Sequence, residues 1–151
     1  MIVIGIDPAT ACGWAILKDG IPIASGVWDL KPKRHEGGGM RYLRCRKLFT
    51  ELIESVDATA MAYEEVRRHQ GTDAAHIYGG IVGQIAAVCE DKQLPFTAIP
   101  VGTVKKRATG KGNASKEKMI AAANEVFNMN VIDDNEADAI WIGVVLYESL
   151  K

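Results

Sequence analysis

Ile2-Val3-Ile4-Gly5-Ile6-Asp7-Pro8 decides the reading of this chain. An apolar, β-branched run too short for a helix and stopped by Asp-Pro reads as a buried strand, and a carboxylate ends it. Outward from there, residues 13–17 read as a second strand, Asp19-Gly20 as a hairpin turn and residues 21–28 as a third strand, so the chain opens on an antiparallel meander. Residues 31–39 hold Pro32 and three successive glycines and are expected to form a mobile loop. Residues 40–56 set Leu43, Leu48, Leu52 and Val56 among basic residues and predict an amphipathic helix.

A fourth strand is expected over 58–63, ending at Glu64-Glu65, and residues 66–72 read as loop. Residues 73–92 predict a long helix containing Gly79, Gly80 and Gly83. Each glycine costs about 1 kcal/mol in a helix interior, so close packing is expected there, against the domain's own sheet or a second copy. A fifth strand follows at 96–99, then a short helix at 101–107, a Gly-rich loop at 109–113, and helices at 115–128 and 135–150, the last apolar on most faces. Strands joined through helices run parallel. The expected fold is α/β, a mixed five-stranded sheet (antiparallel meander plus parallel strands) with helices on both faces, in a single domain over 1–151.

Three acids fall at telling places: Asp7 ends the first strand, Glu64 the fourth, and Asp138 lies in the first turns of the last helix. If the first and fourth strands are parallel neighbours, their C-terminal ends adjoin, where sheets of this kind hold ligands, and the last helix presents Asp138 across the cleft. Converging carboxylates repel unless a cation neutralises them, and hard oxygen donors suit Mg²⁺ or Mn²⁺. Plainer readings exist. Asp7-Pro8 can start a turn, and Glu64 can sit at a solvated strand end. Asp133 and Glu136 have the spacing of a capping box, the role assigned to them here, and Asp134 suits the helix dipole. Asp138 resists that treatment, because it is embedded in Ala137-Asp138-Ala139-Ile140-Trp141-Ile142, where an unpaired charge is costly.

Composition bounds the class. The 151 residues are 48% hydrophobic and 25% charged, ordinary for a globular domain. No apolar run approaches the ~20 residues of a membrane span, and the first residues lack the basic start and long apolar core of a signal peptide, so a cytoplasmic location and no membrane partner are expected. Cys12, Cys45 and Cys89 are odd in number and far apart, which fits neither a zinc site nor a disulfide framework. The net charge of −1 conceals a segregated distribution: of 18 Lys and Arg, seven lie between Lys31 and Lys47, two are Arg67 and Arg68, and six lie between Lys105 and Lys118. Basic surfaces can therefore flank an acidic pocket.

Ile4-Gly5-Ile6-Asp7-Pro8-Ala9-Thr10 with Gly13-Trp14-Ala15, then Ala62-Tyr63-Glu64-Glu65-Val66, then Val104-Lys105-Lys106 with Gly110-Lys111-Gly112-Asn113-Ala114-Ser115-Lys116, then Glu136-Ala137-Asp138-Ala139-Ile140 span nearly the whole chain. In that order and spacing the chain resembles the RuvC family of Holliday junction resolvases, and its short length and Gly-Lys-Gly-Asn-Ala-Ser-Lys run are similar to phage-type members. The resemblance implies an RNase H-like fold and a crossover junction endodeoxyribonuclease, which resolves four-way DNA junctions by paired, metal-dependent phosphodiester hydrolysis. It implies two Mg²⁺ ions per site, with Mn²⁺ able to substitute, bridged by Asp7 and held one each by Glu64 and Asp138. Lys105 and Lys116 are implied near the cleaved phosphate. Arg41, Arg44, Arg46, Lys47, Arg67, Arg68, Lys106, Arg107, Lys111 and Lys118 are then expected to meet branched DNA through its backbone phosphates.

A homodimer matching a two-fold junction is also implied, in a bacterial cell or phage-infected host. One position departs from the family, which usually carries Asp or His three residues before the last Asp; here it is Asn135. Asp134, four residues before Asp138, shares a helical face with it, so Asp134 and Asn135 are both candidate fourth ligands, and Glu136 should point elsewhere. Actin- and sugar-kinase-like ATPases also open on a strand ending in Gly-x-Asp, but they need a second domain and a second phosphate motif, so no nucleotide cofactor is expected. The alternatives are a looser branched-DNA or flap endonuclease of the same fold and a non-catalytic DNA-binding module.

Overall fold

A computed structural model describes residues 1–151. The elements are β1 (Ile2–Asp7), β2 (Ala11–Lys18), β3 (Ile21–Asp29), α1 (Met40–Ser55), β4 (Ala60–Glu65), α2 (Thr72–Asp91), β5 (Phe96–Pro100), α3 (Val101–Thr109), α4 (Lys116–Phe127) and α5 (Asp134–Leu150). The sheet order is β3-β2-β1-β4-β5. The hairpin pairs β1–β2 and β2–β3 are antiparallel, while β1–β4 and β4–β5, reached through helices, are parallel. This is the mixed five-stranded sheet expected from the order of the elements.

Alternation along β1 and β4 divides the core into two layers. Val3, Ala60 and Ala62 pack with Ala139, Ile140, Trp141 and the rest of the α5 side, together with Val104 of α3 and Met119 of α4. Ile4, Ile6 and Met61 pack on the opposite face with Phe49 of α1 and with Ile81 and Ile85 of α2. By the same alternation Asp7 and Glu64 belong to the α5 face. The side chain of Trp141 is buried and its indole N–H donates to the Met119 carbonyl at 3.4 Å, which fixes α4 against α5.

Three glycines let α5 lie directly on the strands. A Cβ on Gly5 would strike the Ala139 carbonyl and the Gly143 backbone, one on Gly13 the Asn135 carbonyl, and one on Gly143 the Leu17 side chain. Gly5 and Gly13 stand on adjacent strands and Gly143 on the helix itself, so the approach is close from both sides.

Several expectations need correction. Leu48 and Leu52 of α1 and Val56 at its end pack on the core as expected, with Cys45 and Phe49 buried beside them, whereas Leu43 is 52% exposed. The fourth strand starts and ends two residues later than expected and contains Glu64 and Glu65. Of the three α2 glycines only Gly80 is close-packed, against the Tyr42 ring of α1 rather than the sheet; Gly79 and Gly83 face open space. In the segment 31–39, which follows buried Leu30, Glu36 forms an ion pair with Arg44 of α1. All three cysteines are buried and free.

Candidate active site

The last parallel pair before the strands end is Ile6↔Tyr63, so Asp7 and Glu64 come next, side by side at the C-terminal ends of β1 and β4. Asp138 enters from the second turn of α5, held down by the contacts at Gly5 and Gly13. One carboxylate oxygen from each of the three residues lies within 4.8 Å of the others. Asp7 is 7% and Glu64 8% exposed, the two charged residues of the buried interior, and Asp138 is half-buried. The hydroxyl of Tyr78 fixes the end of β4: it donates to the Glu64 carbonyl at 2.8 Å and accepts from the Val66 N–H at 3.1 Å.

The electrostatics are those of an unneutralised acid cluster. Burial lifts Asp7 well above the usual carboxylate range, and Glu64, Asp138, Asp134 and Asp133 lift it further. Burial raises Glu64 as well, opposed by Lys105. Asp138 is pushed up to about 7, first by burial and then by Glu64 and Asp134, with Lys105 and Lys116 pulling the other way. The two lysines are thus the cations nearest the cluster: Lys105 is half-buried on α3, and exposed Lys116 at the start of α4 stands 3.7 Å from Asp134. Three acids buried together with so little compensation have the donor chemistry of a site for hard divalent cations.

Residues around the cluster divide by their partners. Asp133 caps α5, its carboxylate accepting from the Asn135 and Glu136 N–H groups at 2.7 and 3.3 Å. Only this half of the expected capping box forms, because the Glu136 carboxylate accepts from the Ser25 hydroxyl at 2.7 Å and so points away from the cluster. Asp134 stays close enough to raise both Asp7 and Asp138. Asn135 sits in the first turn of α5 with its carbonyl against Gly13.

Among the basic residues, Lys47, Arg68, Lys106, Lys111 and Lys118 are exposed. Arg46 donates to Gln84 at 2.8 Å, and Arg67, 81% exposed, pairs with Glu65 at 3.0 Å. Arg44 is tied to Glu36, and one nitrogen each of Arg41 and Arg44 is buried without a partner. Arg107, expected in the DNA-facing set, is exposed and paired with an acid. Its guanidinium grips Glu148 through two nitrogens, at 2.6 and 2.8 Å, and lies 5.6 Å from the Trp141 ring centre. Glu148 is ten residues beyond Asp138, about 15 Å along the helix.

Two features escaped the sequence reading. One is the role of Tyr78. The other is a cavity of about 340 Å³ adjoining Asp7, lined by the turn after β1, the loop after β4 and the first turns of α2. Neither has a sequence signal, since both depend on distant segments meeting.

An acid cluster at the C-terminal ends of adjacent parallel strands, completed from a helix laid across them, defines a nuclease of the RNase H-like class. Comparison with known proteins narrows this. The family model described as "Crossover junction endodeoxyribonuclease RuvC" matches residues 3–146, and the chain belongs to that family. Its relatives include the RuvC proteins of Anaeromyxobacter, 28% identical over 95% of this chain and 71% of the relative, and of Nitratidesulfovibrio vulgaris, 32% identical over 78% and 72%. Among solved structures, Thermus thermophilus RuvC in complex with a Holliday junction substrate superposes with a TM-score of 0.86 at 22% identity, covering 99% of this chain and 94% of that one. The yeast mitochondrial Holliday junction resolvase Ydc2 gives 0.61 at 14% identity, covering 97% and 80%. These likenesses support the RNase H-like fold independently of the sequence matches.

Proposed function

We propose that this chain, acting as one nuclease domain in a homodimer, cuts two opposed strands of a four-way DNA junction with two Mg²⁺ ions per site. The observation that carries the reading is the convergence of Asp7, Glu64 and Asp138 within 4.8 Å in a largely buried setting. Asp7 would be shared between the ions, Glu64 and Asp138 would hold one each, and Asp134 or Asn135 would complete the set. Divalent ions held there would supply Lewis-acid chemistry, activating a water and neutralising charge at the phosphate being cut, and Mn²⁺ would be able to replace Mg²⁺.

The chain's own residues supply the rest. The Tyr78 hydroxyl holds the backbone around Glu64, and the α5–sheet contacts at Gly5 and Gly13 hold the helix that carries Asp138, so the acids are presented from rigid elements. Lys105, half-buried beside Glu64 and Asp138, offers a fixed positive charge to the phosphate being cut. Lys116 can exchange Asp134 for a phosphate oxygen. Lys47, Arg68, Lys106, Lys111 and Lys118 are free to track backbone phosphates, Arg46 and Arg67 join them on releasing weak surface partners, and Arg41 and Arg44 lie along the same helix. Homodimerisation is assigned to α2, where Gly79 and Gly83 leave a shallow outward strip; two active sites on one DNA face match the two-fold symmetry of a junction. No helix is long and apolar enough to cross a membrane, and the assigned place of action is the cytoplasm of a bacterial cell or phage-infected host.

Cleavage of a four-way junction, a Y-fork and a linear duplex, each with and without Mg²⁺, tests the reading. Symmetrical nicking of the junction alone, dependent on Mg²⁺, is expected. Equal cutting of the fork would make the enzyme a looser branched-DNA endonuclease.

A further inference from the structure

α3 carries three cations, and the chemistry above uses Lys105 and Lys106 but not Arg107. The helix has nine residues, no side-chain cap at its start and one buried residue, Val104, backed by half-buried Ala108. So short a helix owes its order to tertiary contacts, and a single apolar row leaves it able to roll on the core. Lys105 and Arg107 stand two positions apart, about 200° around the helix, so they leave the Val104–Ala108 row on opposite flanks. Lys105 works at the Asp138 end of α5, where its charge acts on both Glu64 and Asp138. Arg107 takes hold of the other end of α5, at Glu148.

That hold is directional. The Arg107 Nε donates to one Glu148 carboxylate oxygen at 2.8 Å and a terminal nitrogen donates to the other at 2.6 Å, a fork that fixes orientation as well as distance. The guanidinium also lies 5.6 Å from the Trp141 ring centre. That ring is itself fixed, by its N–H bond to the Met119 carbonyl and by Phe127 of α4, whose ring centre is 5.6 Å away. Both partners of the fork are part-exposed, so the pair adds little to global stability. Its effect is on orientation: α3 cannot roll without breaking the fork, and the flank that carries Lys105 is thereby kept turned toward the acids. We propose that Arg107 is a positioning residue for strand cutting, acting through Lys105 rather than on DNA, an inference that rests on the junction-cutting reading. Glu148, at the far end of α5 from the acids, then belongs to the same device.

Glu148→Gln separates the two roles open to Arg107. It keeps the guanidinium and the shape of its partner, and removes the charge that holds the fork. An Arg107 that served DNA would be released, so junction affinity would rise and cutting would be unimpaired; that result would overturn the proposal. An Arg107 that positions Lys105 loses its hold instead. Single-turnover cleavage in Mg²⁺ should then fall roughly 10- to 100-fold, the effect of about an ångström of displacement, while junction affinity in Ca²⁺ and its salt slope stay at wild-type values. Arg107→Lys keeps the charge but not the fork and should show the same split between rate and affinity; a wild-type rate from it would also overturn the proposal. The decisive readout is the cross with Lys105→Ala. In that background Glu148→Gln should cost almost nothing further, because the group being positioned is gone, and losses that multiply in full would refute action through Lys105. Failure of the wild type to cut a four-way junction would instead defeat the resolvase reading, and the inference with it.

Discussion

Asp138→Asn should make the metal-free protein more stable while removing its activity. In the folded chain the Asp138 carboxyl rises from its ordinary 3.8 to about 7. Between those values the native state keeps a proton that the unfolded chain has lost, so stability is full below about pH 4 and falls as pH rises through 7. At roughly 1.36 kcal/mol per pH unit, the ionised group costs about 4 kcal/mol above pH 8. Asn has nearly the same shape and no charge to bury, and removing Asp138 also relieves Asp7. For a domain of this size about 4 kcal/mol corresponds to a Tm higher by roughly 8–16 °C. The assay is thermal unfolding of both proteins in EDTA from pH 4 to pH 8.5, repeated with Mg²⁺. The variant's advantage should be absent near pH 4, grow up to pH 7 and level off. Mg²⁺ should raise the wild-type Tm and narrow the gap, because binding to the native state alone stabilises it. An Asn variant that melts at or below wild type at pH 8 in EDTA would refute the claim that Asp138 is a strained charge awaiting a cation.

Asp7→Asn and Glu64→Gln should each abolish single-turnover cleavage while junction binding is kept or tightened, since the acids repel DNA when no metal is bound; near wild-type turnover would remove that residue from the mechanism. Asp134→Ala should slow cleavage more than Glu136→Ala, because only Asp134 contributes to the field at Asp138. Lys105→Ala and Lys116→Ala should lower the rate more than the affinity, while Lys47→Ala and Lys118→Ala should weaken binding and reduce the salt slope by about one each; the same pattern in both groups would sink this division of the cations. Gly5→Ala should destabilise by about 1–3 kcal/mol through overpacking and cut the rate by lifting α5 off β1, with junction affinity as the control that should stay near wild type.

The sheet was readable because its strands advertise themselves locally: β1 to β3 are short, β-branched and separated by Asp-Pro and Asp-Gly. Faces were harder. Leu43 looks like a core residue and is exposed, while Cys45 and Phe49 are buried beside the expected Leu48, Leu52 and Val56, because small, buried Cys45 gives little hydrophobic signal while Leu43 lies just off the face. The end of β4 was misjudged for a reason tied to the chemistry. Glu64 and Glu65 break the apolar pattern that marks a strand, and such local inconsistency is where functional residues are found. Charge was legible as composition but not as partnership. Nothing near Arg107 in sequence announces Glu148, and nothing near Arg44 predicts that Glu36 will occupy it.

The acid cluster shows how far one local motif depends on the rest of the chain. Asp7 and Glu64 become neighbours when β4 docks parallel to β1, but two buried acids at a strand end lack a third donor until α5 lies across them. That final step needs Gly5, Gly13 and Gly143 bare, Asp133 capping the helix start, and Trp141 seated under α4. A chain folded only as far as β5 therefore has basic surfaces able to hold DNA and no complete cation site. Gly5 and Gly13, motif residues in sequence, act with Gly143 as tertiary contacts, setting the distance between sheet and helix on which the carboxylate spacing depends. For that reason a single methyl group at Gly5, well outside any contact with DNA, is expected to slow strand cutting.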